Sequence, residues 1–442
     1  MKTDIAIING TIVTMDSDYT VLSKGFLLIR NNKIFNMGPM EKFPADDCSE
    51  IIDADNHLIM PGFVNTHTHL PMVLLRGLGE NLALHDWLDL IWKYEAKLTT
   101  EDFYLGTIIA GLELIRSGVT CVHDMYLDEF PIGKGCEDLG LRAVLSYGMI
   151  DLFADNQKEK RKSELSITKR LLEKWPAEND LITITIGPHA PFTNSPEILL
   201  ESNKMARKYN VPIHIHIAET KREKKDFEAK HGKTSVQYLE DLGFFEGVDV
   251  IAAHCVWITD DDLAIFKKRN IKVVHNPASN MKIGSGVAPI PKMLKAGITV
   301  GLGTDGAASN DNLSMLNDLR LVPFIQKGMH LDPTLISSRE VVSMATINGA
   351  KVLGMEDRIG SLEAGKLADI IIFDLNDVNI TPSSNPYSLI VYSLKEYNLR
   401  HVVINGKFIY KDKNFIDPEK IKGYISLFRE IVENLNKRVQ KN

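Results

Sequence analysis

Two histidines spaced two residues apart, His67 and His69, are the first residues in this sequence that could do chemistry together. They follow an apolar run at residues 57–60 and the turn-forming pair Pro61-Gly62. Because alternate side chains of a β-strand point to the same face, both imidazoles would lie on one side of a strand. Two neutral imidazoles on one face supply half of a divalent-metal site. The spacing alone fits two hydrogen-bonded histidines at a strand end equally well.

Strand-like and helical segments alternate through the middle of the chain. The strand-like runs are the one that leads into His67, then Val119–His123, Val144–Ile150, Leu181–Ile186, Val211–Ile217, Val250–Ala253, Ile271–Val274 and Ile298–Leu302. Thr99–Ser117 has the apolar spacing of a helix, which Gly118 would end. This alternation predicts an α/β fold, a parallel (β/α)₈ barrel of the TIM type. A doubly wound open sheet is the alternative, but no GxGxxG motif follows the first strand.

Polar groups stand where several of these apolar runs give way to loops. These positions are His189, His214, His216, Glu219, His254 and Asp305. A single buried histidine is usually satisfied by a hydrogen bond in the core. Imidazoles and carboxylates that arrive at one rim from several strands are harder to explain in that way, because the catalytic residues of barrel enzymes come from several strand ends. The sequence therefore predicts an active site at the carboxyl ends of the strands.

Both ends of the chain have the short runs and turns of β-structure. The signals are Asn-Gly or Asn-Asn hairpin turns at residues 9–10, 31–32 and 405–406, and a strand-like run at Leu367–Phe373. Since each end is too small for a core of its own, we predict that residues 1–58 and 362–415 form one small β-sandwich domain. It would lie beside a barrel of residues 59–361. Residues 416–442 have helical apolar spacing, for a helix that docks on the protein or contacts another subunit.

Composition excludes several classes of function. With 44% apolar and 25% charged residues in 442, the chain resembles an ordinary globular protein, and its net charge of −7 argues against a general nucleic-acid or membrane-surface binder. No apolar run approaches a membrane span, and the first residues lack the apolar region of a signal peptide, so we expect a cytoplasmic protein.

The four cysteines contain no CxxC pair and indicate neither disulfides nor a thiolate zinc site. Two charged stretches, 155–174 and 220–234, are expected to be solvated helix faces.

Six longer motifs give the chain a family resemblance. They are PGFVNTHTHLPMVLLRG, GPHAPF, HIHIAET, AAHC, HNPASNMKIGSG and LGTDGAASND, in this order. On these strings the chain resembles the amidohydrolase superfamily, and within it the 5-methylthioadenosine/S-adenosylhomocysteine deaminases, from the first hairpin to about residue 410. The resemblance implies a metal-dependent aminohydrolase. Its reaction would be hydrolytic deamination, at C6 of the adenine ring, of 5′-methylthioadenosine, S-adenosylhomocysteine, 5′-deoxyadenosine or adenosine.

The resemblance also implies a metal site. The implied ligands are His67, His69, His216 and Asp305. They would bind one divalent metal per subunit, zinc or else iron(II), with a position left open for water. Superfamily members with two metals carry a bridging lysine at the end of the fourth strand. This chain has His189 there, so we expect a mononuclear site, and we expect His214 to lie in the core.

The same likeness gives roles to the remaining groups. Glu219 would protonate N1 of the adenine ring, while His254 and Asp305 would orient the attacking water and move its proton. His189 would hydrogen-bond the base, and Glu95 would bind the ribose hydroxyls.

Tyr147 is expected to border the 5′-substituent. Relatives place an arginine near this position, at the end of the third strand, where it can help to bind the carboxylate of S-adenosylhomocysteine. A tyrosine offers one neutral donor and no charge, so uncharged 5′-substituents are expected to be preferred. Arg161 or Lys162, in the charged stretch that follows, is the alternative contact for that carboxylate.

Two other readings remain open. Another deaminase or hydrolase of this superfamily, acting on guanine, cytosine or a triazine, would share the metal ligands and differ in its pocket. A non-catalytic relative would be expected to have lost ligands, whereas all four and Glu219 are present. The expected partner is a small-molecule nucleoside, with neither nucleic acid nor membrane, and a homo-oligomer is left open.

Overall fold

The first strands of the chain belong to a sheet outside the barrel. The computed structural model describes residues 3–44, 48–82, 84–176, 179–382 and 384–440, without the side chains of residues 84 and 85. The strands before the barrel are β1 (Thr3–Val13), β2 (Val21–Arg30), β3 (Lys33–Pro39), β4 (Cys48–Asp53) and β5 (His57–Pro61). Strands β2 and β3 form the hairpin predicted across residues 31–32, with Arg30 opposite Lys33.

Within the described residues, eight parallel strands form a nearly closed barrel. They are β6 (Phe63–Thr68), β7 (Val119–Tyr126), β8 (Arg142–Met149), β9 (Ile182–Pro188), β10 (Ile213–Ile217), β11 (Val250–His254), β12 (Lys272–His275) and β13 (Val300–Leu302). Neighbours pair in chain order from β6 to β13. Between these outer two, Asp305 N–H donates to His67 O (3.0 Å), and the Asn65 amide exchanges two hydrogen bonds with Thr304 (2.8 and 3.0 Å). The predicted barrel is confirmed.

The strands after the barrel return to the first sheet. They are β14 (Ile370–Asp374), β15 (Leu399–Ile404), β16 (Lys407–Lys411) and β17 (Asn414–Phe415). Strand β14 pairs with β5, so the predicted union of both chain ends is confirmed. Where a β-sandwich was predicted, their described strands form one sheet of nine. The hairpin predicted across residues 405–406 is confirmed by the pairing of β15 with β16.

The hairpin predicted across Asn9-Gly10 is wrong. Strand β1 runs straight through this pair and remains beside β2, with irregular register between Ile7 and Ile12. Asn9 does take the left-handed conformation, at φ 68°. Here that conformation serves a bulge instead of a chain reversal, because the residues on both sides of it find their partners on the same neighbouring strand.

Helices connect the barrel strands and close the chain. They are α1 (Leu84–Glu95), α2 (Thr100–Arg116), α3 (Glu129–Leu139), α4 (Gln157–Lys174), α5 (Pro196–Tyr209), α6 (Lys221–His231), α7 (Ser235–Asp241), α8 (Asp260–Arg269), α9 (Pro277–Lys282), α10 (Ile290–Lys295), α11 (Ala307–Asn310), α12 (Met315–His330), α13 (Ser338–Met344), α14 (Ile347–Val352), α15 (Pro386–Ser388) and α16 (Pro418–Gln440). Short 3₁₀ turns lie at Met40–Lys42, Leu70–Leu75 and Glu396–Asn398, and a π turn lies at Leu389–Ser393. No helix in these described segments has the length and apolarity needed to cross a membrane.

The helices agree with the sequence patterns that predicted them. Helix α2 begins with a capping box between Thr99 and Asp102 and ends before Gly118. Helix α16 packs against α2 and buries Ile431 and Leu435. It is therefore docked on the protein, one of the two arrangements expected from its apolar spacing. Helices α4 and α6 occupy the two charged stretches and are mostly exposed. Each nevertheless buries one glutamate, Glu164 or Glu223.

A buried ion pair joins the barrel to the sheet. Arg142 lies on β8, and Asp369 immediately precedes β14. Arg142 donates from Nε to Asp369 Oδ2 (2.7 Å) and from Nη2 to Asp369 Oδ1 (2.9 Å). Arg142 also donates to the carbonyl of Asp180, and Asp369 accepts from the backbone N–H of Asn405 (2.8 Å). Both side chains are almost completely buried, so removing one partner leaves a charge that water cannot reach.

We therefore expect Arg142→Met to lower the free energy of unfolding by about 3–5 kcal/mol, because Asp369 then remains buried without its counter-ion. Urea unfolding followed by fluorescence measures the change. The control is Lys292→Met, which removes the exposed pair with Asp260 and should leave stability unchanged. An Arg142→Met protein as stable as the parent would contradict a structural role for the pair.

Candidate active site

A cleft opens at the carboxyl ends of the barrel strands. Its empty space, counted with the open solvent at its mouth, is about 810 Å³. Its polar wall consists of His69, Glu95, His189, His216, Glu219, His254 and Asp305. Trp87, Ile91, Trp92 and Phe192 contribute apolar surface. Most of the residues predicted for the site thus meet in one cleft.

The two histidines of the first barrel strand take the predicted arrangement. His67 lies in β6 and His69 directly after it, and both are buried. Their ring centroids are 4.8 Å apart, and the His216 ring lies at the same distance from His67. The alternation of strand side chains therefore places two imidazoles on one face, and strand β10 brings a third beside them.

Each of these imidazoles is held through its Nδ1 atom. The partners are His214 Nε2 for His67 (3.0 Å), Met125 O for His69 (2.5 Å) and His189 O for His216 (2.8 Å). A donor at Nδ1 leaves the Nε2 lone pair free for a ligand. His67 Nε2 is buried and has no hydrogen-bond partner among the described residues. His214 is buried, as predicted, and its hydrogen bond orients His67.

The nitrogen and oxygen atoms are close enough together to bind one cation. The groups whose ligand atoms lie within 4.8 Å of one another are His67 with His69 and Asp305, and His67 with His216 and His254. Imidazole nitrogens with one carboxylate are a donor set that suits zinc and related divalent metals. The other three predicted ligands therefore lie around His67. His254, to which the resemblance gave a different role, is also close to His67.

Asp305 is held as a carboxylate. Oδ2 accepts from Ser279 Oγ (2.5 Å), Oδ1 accepts from Gly306 N (2.8 Å), and His69 Nε2 lies 3.2 Å from Oδ1. Burial alone would favour the neutral acid. The nearby His67 and His69 outweigh burial and hold the pKa of Asp305 well below its usual range.

Three of these histidines, His67, His189 and His216, are neutral near pH 7, whereas His69 is protonated. Burial lowers the pKa of His67 to about 4 and that of His189 to about 3, and it lowers the pKa of His216 strongly. Burial would lower the pKa of His69 as well, but Asp305 outweighs it and raises that pKa to about 9. A cation bound between His69 and Asp305 would displace this proton, as metal binding generally does.

Glu219 faces the cleft just after strand β10. Its side chain is 13% exposed, and its Oε2 lies 3.8 Å from His254 Nε2. Ser285 Oγ donates to its Oε1 at 3.5 Å, and Asn280 Oδ1 holds the other ring nitrogen of His254 at 2.9 Å. Burial, assisted by the charge of Asp305, raises the pKa of Glu219 although His254 opposes the shift. Such a carboxyl group can donate a proton in the cleft.

The structure also places the predicted substrate-binding residues. Glu95 ends α1, is buried, and accepts a hydrogen bond from Tyr126 Oη (2.7 Å). Burial raises the pKa of Glu95. His189 follows β9, and its Nδ1 lies 3.1 Å from Thr193 Oγ1. Both residues lie where a ligand in the cleft would meet them.

Tyr147 lies beside the cleft and does not line it. Its hydroxyl donates to the buried Glu164 (3.0 Å) and borders a second, adjoining cleft that shares Leu127, Gly148 and Ile150 with the first. The basic residue in this second cleft is Lys160, whose Nζ is 2.8 Å from Glu164.

The two basic residues named from the sequence are engaged elsewhere. Arg161 pairs with the buried Asp151 (3.2 Å), and Lys162 pairs with Glu159 (3.2 Å) on the surface of α4. Neither of them lines the cleft of Tyr147, whereas Lys160 does.

Several residues of the site were missed by the sequence analysis. They are Tyr126, Glu223, Ser279, Asn280 and Ser285. The last three lie in the motif HNPASNMKIGSG, so the string signalled the site, but their partners are on other strands. Glu223 was counted with the solvated charges of its stretch.

Comparison with known proteins places the chain among metal-dependent hydrolases. The model of the Amidohydrolase family matches residues 58–409. A 5′-deoxyadenosine deaminase of Methanobrevibacter smithii is 43% identical over 403 residues, which are 90% of this chain and 91% of the relative. A 5-methylthioadenosine/S-adenosylhomocysteine deaminase of Thermococcus sibiricus is 43% identical over 407 residues, 92% of this chain and 93% of the relative.

A solved structure shares the fold over the whole chain. The zinc-bound crystal structure of an adenosine deaminase from Xanthomonas campestris has a TM-score of 0.93 and 29% identity, covering 100% of this chain and 99% of the other. The likeness includes the barrel and the sheet built from both chain ends.

Proposed function

The chain belongs to the amidohydrolase family, and we propose that it deaminates the adenine ring of 5′-modified adenosines by hydrolysis. The observation that carries the proposal is the meeting of His69, Glu219, His254 and Asp305 in one cleft with an apolar wall. The ligand atoms of His69 and Asp305 lie within 4.8 Å of that of the buried His67. The apolar wall can hold a purine, and the polar groups can supply the protons that deamination needs. The names of the most similar relatives support an adenosine-type substrate.

We assign one divalent metal, zinc in the first instance, to His67, His69, His216 and Asp305. The unpartnered Nε2 of His67 and the anchored Nδ1 atoms of the three histidines favour this assignment. When bound, such a metal activates a water molecule as a nucleophile at neutral pH. The remaining steps fall to side chains of the cleft.

In the reaction, water adds to C6 of the adenine ring and ammonia leaves, so a C6–O bond forms and the C6–N bond breaks. Glu219, with its raised pKa, donates a proton to N1 and makes C6 electrophilic. His254 and Asp305 hold the attacking water and take its proton, which must reach the departing amine. Each such proton transfer contributes about 10²–10⁴ in rate.

Binding of the nucleoside involves both ends of the cleft. His189 hydrogen-bonds the base, and Glu95, oriented by Tyr126, accepts from the ribose hydroxyls. The 5′-substituent then points to the adjoining cleft of Tyr147, Lys160 and Glu164. Because Lys160 and Glu164 already neutralise each other, this region offers little net positive charge to a substrate carboxylate.

His216→Asn should remove most of the bound metal and most of the activity, since the remaining ligands hold zinc poorly. Metal content by plasma mass spectrometry and turnover by absorbance measure both effects. His330→Asn, on the exposed end of α12, is the control and should retain both. A His216→Asn protein with full metal content and near-parental turnover would show that His216 is not a ligand.

Glu219→Gln should keep the fold and the metal but lower kcat by at least about 10², because an amide cannot donate the proton that N1 requires. Glu173→Gln, exposed on α4, is the matched control. If Glu219→Gln stays within tenfold of the parent, the acid must be another residue.

Among adenosine analogues, 5′-deoxyadenosine or 5′-methylthioadenosine should have a kcat/KM about ten- to a hundredfold above that of S-adenosylhomocysteine. The reason is the missing cationic hydrogen bond at Tyr147, worth roughly 1.5–3 kcal/mol. The ultraviolet change from adenine to hypoxanthine follows each reaction, and Tyr147→Arg should narrow the difference.

A parent enzyme that prefers S-adenosylhomocysteine would refute this preference. Loss of the preference in Lys160→Ala, Arg161→Ala or Lys162→Ala would then identify the residue that binds the carboxylate. Absence of turnover with every adenosine analogue, in metal-loaded protein, would refute the proposed function itself.

A further inference from the structure

We propose that Glu223, on helix α6, is a positioning residue that fixes the proton donor Glu219 in place. The proposal rests on the function proposed above and adds to it a residue outside the lining of the cleft. The connection is direct: both carboxylate oxygens of Glu223 accept hydrogen bonds from the backbone that carries Glu219.

The sequence at the start of α6 is that of a capping box, Thr220-x-x-Glu223. In a complete box the third residue of the helix accepts a hydrogen bond from the backbone N–H of the capping residue. Complete boxes occur at Thr99 with Asp102, Thr234 with Gln237, Thr259 with Asp262, and Ser337 with Glu340. The box of α6 is only half formed, since Thr220 Oγ1 accepts from Glu223 N (3.1 Å) without the return bond.

The Glu223 carboxylate reaches further back along the chain. Oε1 accepts from Ala218 N (3.1 Å), and Oε2 accepts from Glu219 N (2.8 Å). Ala218 is in the left-handed region at φ 51°, a conformation that a residue with a Cβ adopts only when its surroundings hold it there. The carboxylate therefore clamps two successive N–H groups at a strained turn between β10 and α6.

The clamp matters because the Glu219 side chain has few contacts of its own. Its described polar contacts are the long hydrogen bond from Ser285 (3.5 Å) and His254 at 3.8 Å. The direction of its carboxyl group is thus determined mainly by its backbone. A shift of about 1 Å in a reacting group can reduce the rate about a hundredfold.

A buried glutamate at the start of a helix is energetically unfavourable, because burial penalises its charged form. Glu223 is buried, and the described partners of its carboxylate oxygens are the backbone N–H groups of Ala218 and Glu219. Burial, together with the charge of Glu219, raises its pKa to about 7. A residue that only capped α6 could bond to Thr220 N, as Asp262 bonds to Thr259 N in α8 at 2.8 Å. The bonds of the Glu223 carboxylate to Ala218 N and Glu219 N are therefore better explained by an effect on Glu219 than by helix capping.

Two variants separate positioning from folding. Glu223→Gln keeps the volume but presents an amide NH₂ to one of the two N–H donors, so the clamp breaks. Glu223→Asp is one methylene shorter and can close the usual box on Thr220, as Asp102 and Asp262 do, so it should fold without clamping Glu219. We expect both to lower kcat about ten- to a hundredfold with KM and metal content within about twofold of the parent.

A double-mutant cycle with Glu219→Gln provides the decisive test. If Glu223 acts through Glu219, adding Glu223→Asp to Glu219→Gln should change kcat by less than about twofold, because no proton donor remains to be placed. Asp262→Asn removes a buried capping carboxylate after the neighbouring strand β11 and is the control. It should lower stability and leave kcat unchanged.

Parental kcat in Glu223→Asp, or losses that simply multiply in the double variant, would overturn the proposal. If Glu219→Gln itself retains activity, the assignment of the acid fails, which is a separate result. Were the parent inactive on all adenosine analogues, hydrogen exchange at the amides of Ala218 and Glu219 still tests the clamp. It should be faster in Glu223→Asp than in the parent, and unchanged exchange would overturn the proposal.

Discussion

The hydrogen bond from Asp305 N–H to the carbonyl oxygen of His67 (3.0 Å) joins the last barrel strand to the first. The side chains of these two residues also belong to one group of candidate metal ligands. The contact between the two outer barrel strands therefore also brings two of the candidate ligands together. Gly303 permits this approach, because a Cβ there would lie 2.8 Å from His67 O and 2.6 Å from Asn276 Oδ1. The site consequently depends on the last strand being in register with the first.

Strained backbone conformations at the strand ends set the directions of polar side chains in the cleft. Ala218, His254 and Asp305 follow or end three barrel strands, and all have positive φ values, from 51° to 69°. Such conformations cost on the order of 1–3 kcal/mol each and persist only where the surroundings impose them. Hydrogen bonds hold two of these positions: Glu223 accepts from the backbone N–H of Ala218, and Asn280 Oδ1 bonds to the ring of His254. The positive φ values turn the chain at these strand ends. Side chains there can therefore leave the strand direction and face one another.

Local patterns in the sequence predicted the elements and most of the site, because strand alternation and strand ends are short-range properties. His67, His69, His216 and Asp305 could be identified in this way together with the family resemblance. Contacts between residues that are distant in the sequence could not be predicted from local patterns. The bond of His214 to His67 spans 147 residues, and the environment of Tyr147 depends on Glu164 in a helix that looked uniformly solvated. The hairpin prediction at Asn9 failed for a related reason. An Asn-Gly pair favours a left-handed residue, but it does not determine which strand the following residues will pair with.

Two carboxyl groups of the cleft, Asp305 and Glu219, have environments that push their pKa values apart. Histidine contacts keep Asp305 ionised, whereas burial, with the charge of Asp305 itself, favours a proton on Glu219. One group can therefore serve as ligand and base while the other serves as acid at the same pH. The division requires that Glu219 remain near Asp305 and yet keep little contact with cations. A backbone clamp by Glu223 satisfies this requirement better than a salt bridge would, because it fixes position without lowering the pKa of the acid as a cation would.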